Sequence, residues 1–382
     1  AGLVWLVPRN PARAASVLLV DYSCALKLST PLAVLAAMKE GVGRGVLVKG
    51  GRFLESLAAA DAVVFDKTGT LTESRPRVAE VIPGEGYERD DILRTAACLE
   101  EHFPHPVARA VVRKAEQEGL HHQEEHTEVE YVVAHGIASR LHGKRVLFGS
   151  RHYIHHDEGV PVDGMREDIE RLAREGRSIL YLAVDGKLAG LIAIEDPLRP
   201  EAAPVIRKLL GRGIRVVMLT GDDERTAAAV AERLGISEYR SQVLPTDKAE
   251  VIRSLQAEGH TVAMLGDGIN DSPALSAADV GVTLSDGADL AREVADVVLT
   301  ECRLDGLVTA VDLSKAAMRR IRTDFGLIMT LNTVFLASGL AGFLQPGPSA
   351  LLHNLTTVGV SLNAMRPMLK AGAEPQLEEV SA

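Results

Sequence analysis

The chain is poor in the residues that cross-link small folds. Its three cysteines, Cys24, Cys98 and Cys302, cannot make a disulfide framework, and Cys98 and Cys302 lack metal-ligand neighbours and read as core residues. Aromatic residues are only 4% of the 382, yet 46% are hydrophobic, enough to bury two soluble cores with apolar sequence left over. Net positive charge is absent. The formal charge of -10 belongs mainly to soluble surface and argues against a nucleic-acid partner. No internal repeat of about 20 to 50 residues is present, which excludes solenoids and propellers, and there is no low-complexity tract. No signal peptide is evident, and Ala1 to Pro11 reads as the tail of a preceding loop or helix.

The surplus apolar sequence lies at the two ends. Ala12 to Met38 and Phe325 to Gln345 are long enough to cross a bilayer, and Ser349 to Leu369 is a more polar third candidate; a buried core helix is the competing reading for each. Lys39, Arg44, Lys49 and Arg52 follow the first run, and Lys315, Arg319, Arg320 and Arg322 precede the second. By the positive-inside rule the long middle region is then cytoplasmic, with Arg366, Lys370 and the C-terminus on the same side. The expected setting is a multi-pass protein of a bacterial-type plasma membrane, in contact with lipid.

Within the middle region three apolar runs each stop at polar groups. Val63 to Phe65 ends at Asp66 and turns through Thr68-Gly69-Thr70; Ile214 to Leu219 runs into Thr220-Gly221-Asp222; Thr261 to Leu265 runs into GDGINDSP, Gly266 to Pro273. An open α/β sheet presents reactive groups at the carboxyl edge of its strands in this way. An aspartate so placed can attack a phosphoryl group and form an aspartyl-phosphate. Taken singly, each turn could be an ordinary loop after a strand.

The segment DKTGTLT, Asp66 to Thr72, resembles the phosphorylation motif of the P-type cation-transporting ATPases, and the core resembles the haloacid dehalogenase class. The resemblance implies a haloacid dehalogenase-like doubly wound parallel sheet, an inserted α+β nucleotide-binding domain, and flanking transmembrane helices. It implies Asp66 as nucleophile and ATP and magnesium as cofactors. Asp66 and Asp267 would hold magnesium with the carbonyl of Thr68; Lys248 would neutralise phosphoryl oxygens; Thr220, Gly221 and Asn270 would donate hydrogen bonds. Lys67, Asp222 and Asp271 complete the catalytic set. Phosphatases of the class usually carry a second acid where Thr68 stands, so the phosphoenzyme is expected to persist. The expected division is 1–56, membrane metal-site helix and linker; 57–76 and 188–312, the two parts of the phosphorylation domain; 77–187, the insert; and 313–382, two membrane helices.

The insert carries its own resemblance. Leu99 to Ala110, with His105-Pro106 at its centre, looks like the His-Pro segment of the nucleotide domain in the heavy-metal branch of these ATPases. The likeness implies adenine contacts from His105 and Glu100, and close backbone approach at Gly136 and Gly149. Ala134 stands where the family has a glycine and Pro104 where it usually has an acid, which bears on ATP affinity. A second imidazole group, His121, His122 and His126, reads as a transition-metal ligand set or a solvated loop.

Asp21 to Pro31 resembles the membrane metal-site helix of the same branch, with Cys24 matching its last cysteine, Ser23 replacing the proline and Tyr22 the first ligand. Asp21 and Lys27 would be anchors near the interface. Copper(I) pumps usually show Tyr-Asn and Met-Ser-Ser in their last helices, where Leu331-Asn332 and His353 to Thr357 stand here. The likeness therefore implies a site of Cys24, Asn332, His353 and Thr357 for a divalent ion such as zinc, cobalt, manganese or iron(II), rather than copper(I). The actuator loop Thr-Gly-Glu is absent, so the chain reads as the C-terminal half of a pump that works with a missing N-terminal half. A membrane-tethered phosphatase and a regulatory remnant are the alternatives.

Overall fold

The computed structural model describes residues 11–73, 75–101, 106–120, 126–132, 136–266, 271–285, 287 and 289–369. The chain forms two compact units, Ala1–Ala60 with Ala295–Ala382, and Asp61–Val294.

The first unit begins with helices α1 (Pro11–Leu18) and α2 (Tyr22–Val42), followed by strand β1 (Val46–Val48) and helix α3 (Gly51–Ala59). The expected single run from Ala12 to Met38 is thus two helices. Asp21 adopts extended backbone and accepts the Ser23 N–H at 2.9 Å, so it starts a new helix where an uninterrupted apolar pattern predicts continuity. Pro31 lies inside α2 without ending it.

The second unit holds two sheets. Strand β2 (Ala62–Asp66) leads into the first, and β3 (Arg77–Pro83) opens the second. Helices α4 (Arg89–Glu100) and α5 (Pro106–Gln117) follow, then β4 (His126–Val132), β5 (Gly136–Leu141), β6 (Lys144–Gly149), helix α6 (Arg166–Arg174), β7 (Ser178–Val184) and β8 (Lys187–Glu195). These strands make an antiparallel sheet in the order β3-β8-β7-β6-β5-β4. One face buries Ile92, Leu93, Leu99 and Val111 of α4 and α5; the other buries Tyr153, Ile154, Ile169 and Leu172. Because β8 pairs with β3 and β7, the insert extends beyond the expected boundary at 187 to Glu195.

The chain then returns to the first sheet. Helix α7 (Ala202–Leu210) precedes β9 (Arg215–Leu219), α8 (Glu224–Leu234), β10 (Glu238–Arg240), α9 (Pro245–Ala257), β11 (Val262–Leu265), α10 (Ser272–Ala277), β12 (Val280–Leu284) and α11 (Asp289–Val294). Within this unit β12, β11, β2, β9 and β10 lie side by side, with parallel pairing at every join. Ala62, Val64, Val217, Met264 and Ile252 of α9 share a core on one face, and the alternate residues Val63, Phe65, Val216 and Met218 are equally buried on the other. Burial on both faces explains why these strands read as unbroken apolar runs.

The first unit closes with β13 (Val297–Leu299), antiparallel to β1, and helices α12 (Asp305–Ala341) and α13 (Pro346–Ala364). Among the described helices one, α12, is long and apolar enough to cross a membrane. It ends at Ala341, short of the expected Gln345, because Gly342 takes a left-handed φ of 89°.

Burial is inverted in α2, the C-terminal half of α12 and α13. Leu28, Leu35, Val42, Phe325, Val334, Leu351, Leu355, Val358 and Leu362 are exposed, while Asp324, Asn332, Ser349, His353 and Ser361 are buried. The buried face of α2 is Ala25, Ser29, Ala33, Ala37 and Gly41, small residues at every fourth position that let helices approach closely.

Candidate active site

Asp66 closes β2, the central strand, where it pairs with Leu219 of β9 while Phe65 pairs with Leu265 of β11. Three adjacent carboxyl ends therefore deliver Asp66, Thr220 to Asp222 and the segment after Leu265 to one edge. The chain leaves Asp66 through a tight turn in which Gly69 takes φ 78°, a value that L side chains rarely adopt. Thr72 accepts the Gly69 N–H at 2.8 Å, and Arg199 donates to the carbonyls of Thr72 at 3.0 Å and Gly69 at 3.3 Å. Thr68 is exposed on this turn. The hydroxyl of Thr70 is buried without a hydrogen-bond partner among the described residues. Thr70 belongs to the motif without a role assigned to it there, and Arg199 belongs to no motif that signals its reach.

Lys248, at the start of α9, donates to Asp66 Oδ1 and Asp271 Oδ1, each at 2.6 Å. All three side chains are buried. Burial alone would lower the ammonium's pKa, but the charges of Asp66 and Asp271 outweigh it and hold it above the ordinary lysine value. A second pair lies beside the first. Lys67 is paired with Asp222, which also accepts from Thr220 Oγ1 at 2.8 Å and from Ser178 Oγ of the insert at 2.6 Å. Burial would raise the Asp222 carboxyl, yet Lys67 and these hydroxyls keep it below the usual range.

Two buried carboxylates around one ammonium leave negative charge, and oxygen donors of this kind fit magnesium. The orphaned Thr70 hydroxyl adds a donor that a phosphoryl oxygen could take up. Asp267 and Asn270 lie outside the described residues. Gly266 precedes them, and a Cβ there would meet Asp271 Oδ2 at 2.9 Å. Gly221 follows Thr220 at the strand end, as expected.

In the insert, Glu100 and Glu101 at the end of α4 line a cavity of about 230 Å³ with Arg109, Val112, Arg113 and Glu116 of α5. Burial raises the Glu100 carboxyl to about 7. Pro106 is the first residue of α5, where its missing N–H costs nothing. His105, immediately before it, lies outside the described residues, as do His121 and His122. Gly136 and Gly149 face each other across β5 and β6, and a Cβ on Gly136 would stand 2.4 Å from the Phe148 carbonyl and 2.9 Å from Gly149 Cα. Close strand approach therefore accounts for Gly136 in the insert itself.

Of the expected membrane ligands, two meet. His353 Nδ1 lies 3.3 Å from Asn332 Oδ1, and the Asn332 amide donates to the Asp21 carbonyl at 3.3 Å. Cys24 is exposed and donates to Asp21 Oδ2 at 3.0 Å. Thr357 returns its hydroxyl to the His353 carbonyl at 3.1 Å. Among the described residues no three His, Cys, Asp or Glu side chains gather as a metal cage.

Residues 60–279 match the haloacid dehalogenase-like hydrolase family. The chain belongs to that family. The chain is also 42% identical over 369 residues to a zinc-exporting P-type ATPase of Mycobacterium marinum, covering 96% of this chain and 50% of the relative. A manganese-exporting P-type ATPase of Mycobacterium tuberculosis is 41% identical over 369 residues, with 96% and 51% covered. A probable copper-exporting P-type ATPase V of the same organism is 37% identical over 365 residues, with 94% and 47% covered. The crystal structure of a zinc-transporting PIB-type ATPase in its E2.Pi state superposes with a TM-score of 0.66 at 36% identity, covering 91% of this chain and 56% of that one. The chain is thus homologous to heavy-metal P-type ATPases over most of its length, and spans about half the length of the curated relatives it matches.

Proposed function

We propose that the chain is the catalytic half of an ATP-driven transition-metal cation pump, with Asp66 as the residue that becomes phosphorylated. The observation that carries this reading is the Asp66–Lys248–Asp271 cluster at the edge of the central strands. A carboxylate oxygen of Asp66 attacks the terminal phosphoryl group of ATP, a bond to Asp66 forms, and ADP leaves with the bridging oxygen. Lys248 screens the charge of the phosphoryl oxygens. Thr220 and the Thr70 hydroxyl donate to them, and Lys67 is held by Asp222 on the adjoining side. Asp66, the Thr68 carbonyl and Asp267 would hold magnesium, which would supply further charge neutralisation. Glu100, His105 and Pro106 form the adenine side of the nucleotide site, and the remaining half of the pump supplies the actuator.

Incubation with labelled ATP and magnesium should give an acid-stable, hydroxylamine-sensitive phosphoprotein, and Asp66→Asn should remove the label. Label that survives Asp66→Asn overturns the assignment. Rapid multiple turnover by this chain alone would favour the membrane-tethered phosphatase.

Three membrane crossings, by α1 with α2, α12 and α13, are supported by the apolar exterior and polar interior of the first unit. The transported ion is read as divalent, bound by Asn332 and His353 with Cys24 and Thr357 completing the set on rearrangement. Zinc, cobalt and manganese binding to detergent-solubilised chain should fall with Cys24→Ala and His353→Ala. Unchanged binding in both variants contradicts the site, and tighter copper(I) binding through the same residues contradicts the divalent reading.

A further inference from the structure

The helix bundle of the first unit has a polar level that the pump reading leaves unused. Asp324 lies about two turns before Asn332 on α12. Ile328, midway between the two on α12, packs with Ala25 and Val360 as one apolar cluster. Asp324 is 2% exposed. The Asn363 amide of α13 donates to its Oδ1 at 2.7 Å, whereas Oδ2 is buried with no hydrogen-bond partner among the described residues. Arg320, one turn earlier, donates to the carbonyls of Asn363 and Pro367 and makes no ion pair with Asp324 among the described contacts. It closes the end of α13.

A buried carboxylate with an unused oxygen is costly, more so inside a membrane, unless a cation meets it. We propose that Asp324, with the side-chain oxygen of Asn363, forms a second divalent-cation site in the bundle, separate from Asn332 and His353. Both donors are hard oxygens, so the site takes an ion of the manganese(II) class in preference to copper(I). The proposal rests on the reading of the chain as a cation pump.

The test is manganese(II) binding by the purified chain in detergent, in an Asp66→Asn background so that the phosphorylation site contributes less to the count. Asp324→Asn should weaken one class of bound manganese by about tenfold or more, a loss of the size seen when a metal site loses a supporting group. His353→Ala should leave that class in place. Because Asp324→Asn could disturb packing, Asn363→Asp is the second variant: it adds a carboxylate and should tighten manganese binding. Wild-type affinity in Asp324→Asn, or no gain in Asn363→Asp, overturns the site. Phosphate labelling at Asp66 is a separate readout, so loss of the pump reading and loss of this site are distinguishable.

Discussion

At the residue scale, the site is governed by charge balance in a buried place. Lys248 is shared by Asp66 and Asp271, so the Asp66 carboxyl is held in place while the two acids together keep the ammonium charged. Glu100 shows the opposite effect, since burial without a cation raises its carboxyl from the usual 4.5 to about 7. Its raised folded value means that stability is intact below about pH 4.5 and is lost as pH rises through about 7. Glu100→Gln should therefore match the wild type in hydrogen-exchange protection of α4 near pH 4 and exceed it near pH 8. Equal protection at both values would show that Glu100 is not buried as described. The motif residues Asp66, Lys67, Thr220, Asp222, Lys248 and Asp271 were legible through their likeness to the family motifs, and Asp66, Thr220 and Asp222 also through their place at the end of apolar strands. Ser178 and Arg199 were not, since their roles depend on segments distant in sequence meeting in space.

At the element scale, the parallel strands were readable and their partners were not. Strand β8 has the same unbroken apolar look as β9 or β11, so only its pairing with β3 and β7 assigns it to the insert. The break between α1 and α2 was hidden for a related reason: apolar composition runs across it, and a single capping carboxylate, Asp21, decides the boundary. The family likeness points to Gly136, and the strand contact gives it a physical cause. Gly136→Ala should destabilise the insert by about 1–3 kcal/mol, the usual range for overpacking, read as faster hydrogen exchange in β5 and β6. Unchanged exchange there would mean that the two strands can separate freely.

At the scale of the whole molecule, the inverted burial within the first unit and the buried strands of the second suit different solvents. A bundle with leucines outside and Asn332, His353 and Asp324 inside is stable in lipid, where helices associate through small residues and polar contacts. The proposed three crossings would place Gln345 on one side of the membrane and Lys49 on the other. In a cysteine-free background, Gln345→Cys should react with an impermeant maleimide in intact cells, and Lys49→Cys only after permeabilisation; reaction of both from the same side contradicts the topology. The central claim is that Asp66 carries the phosphoryl group. Borohydride reduction of the ATP-treated chain converts an acyl phosphate to the corresponding alcohol, so peptide mass spectrometry should find homoserine at Asp66 and at no other aspartate. Homoserine elsewhere, or none in a chain that retains labelled phosphate, would contradict it.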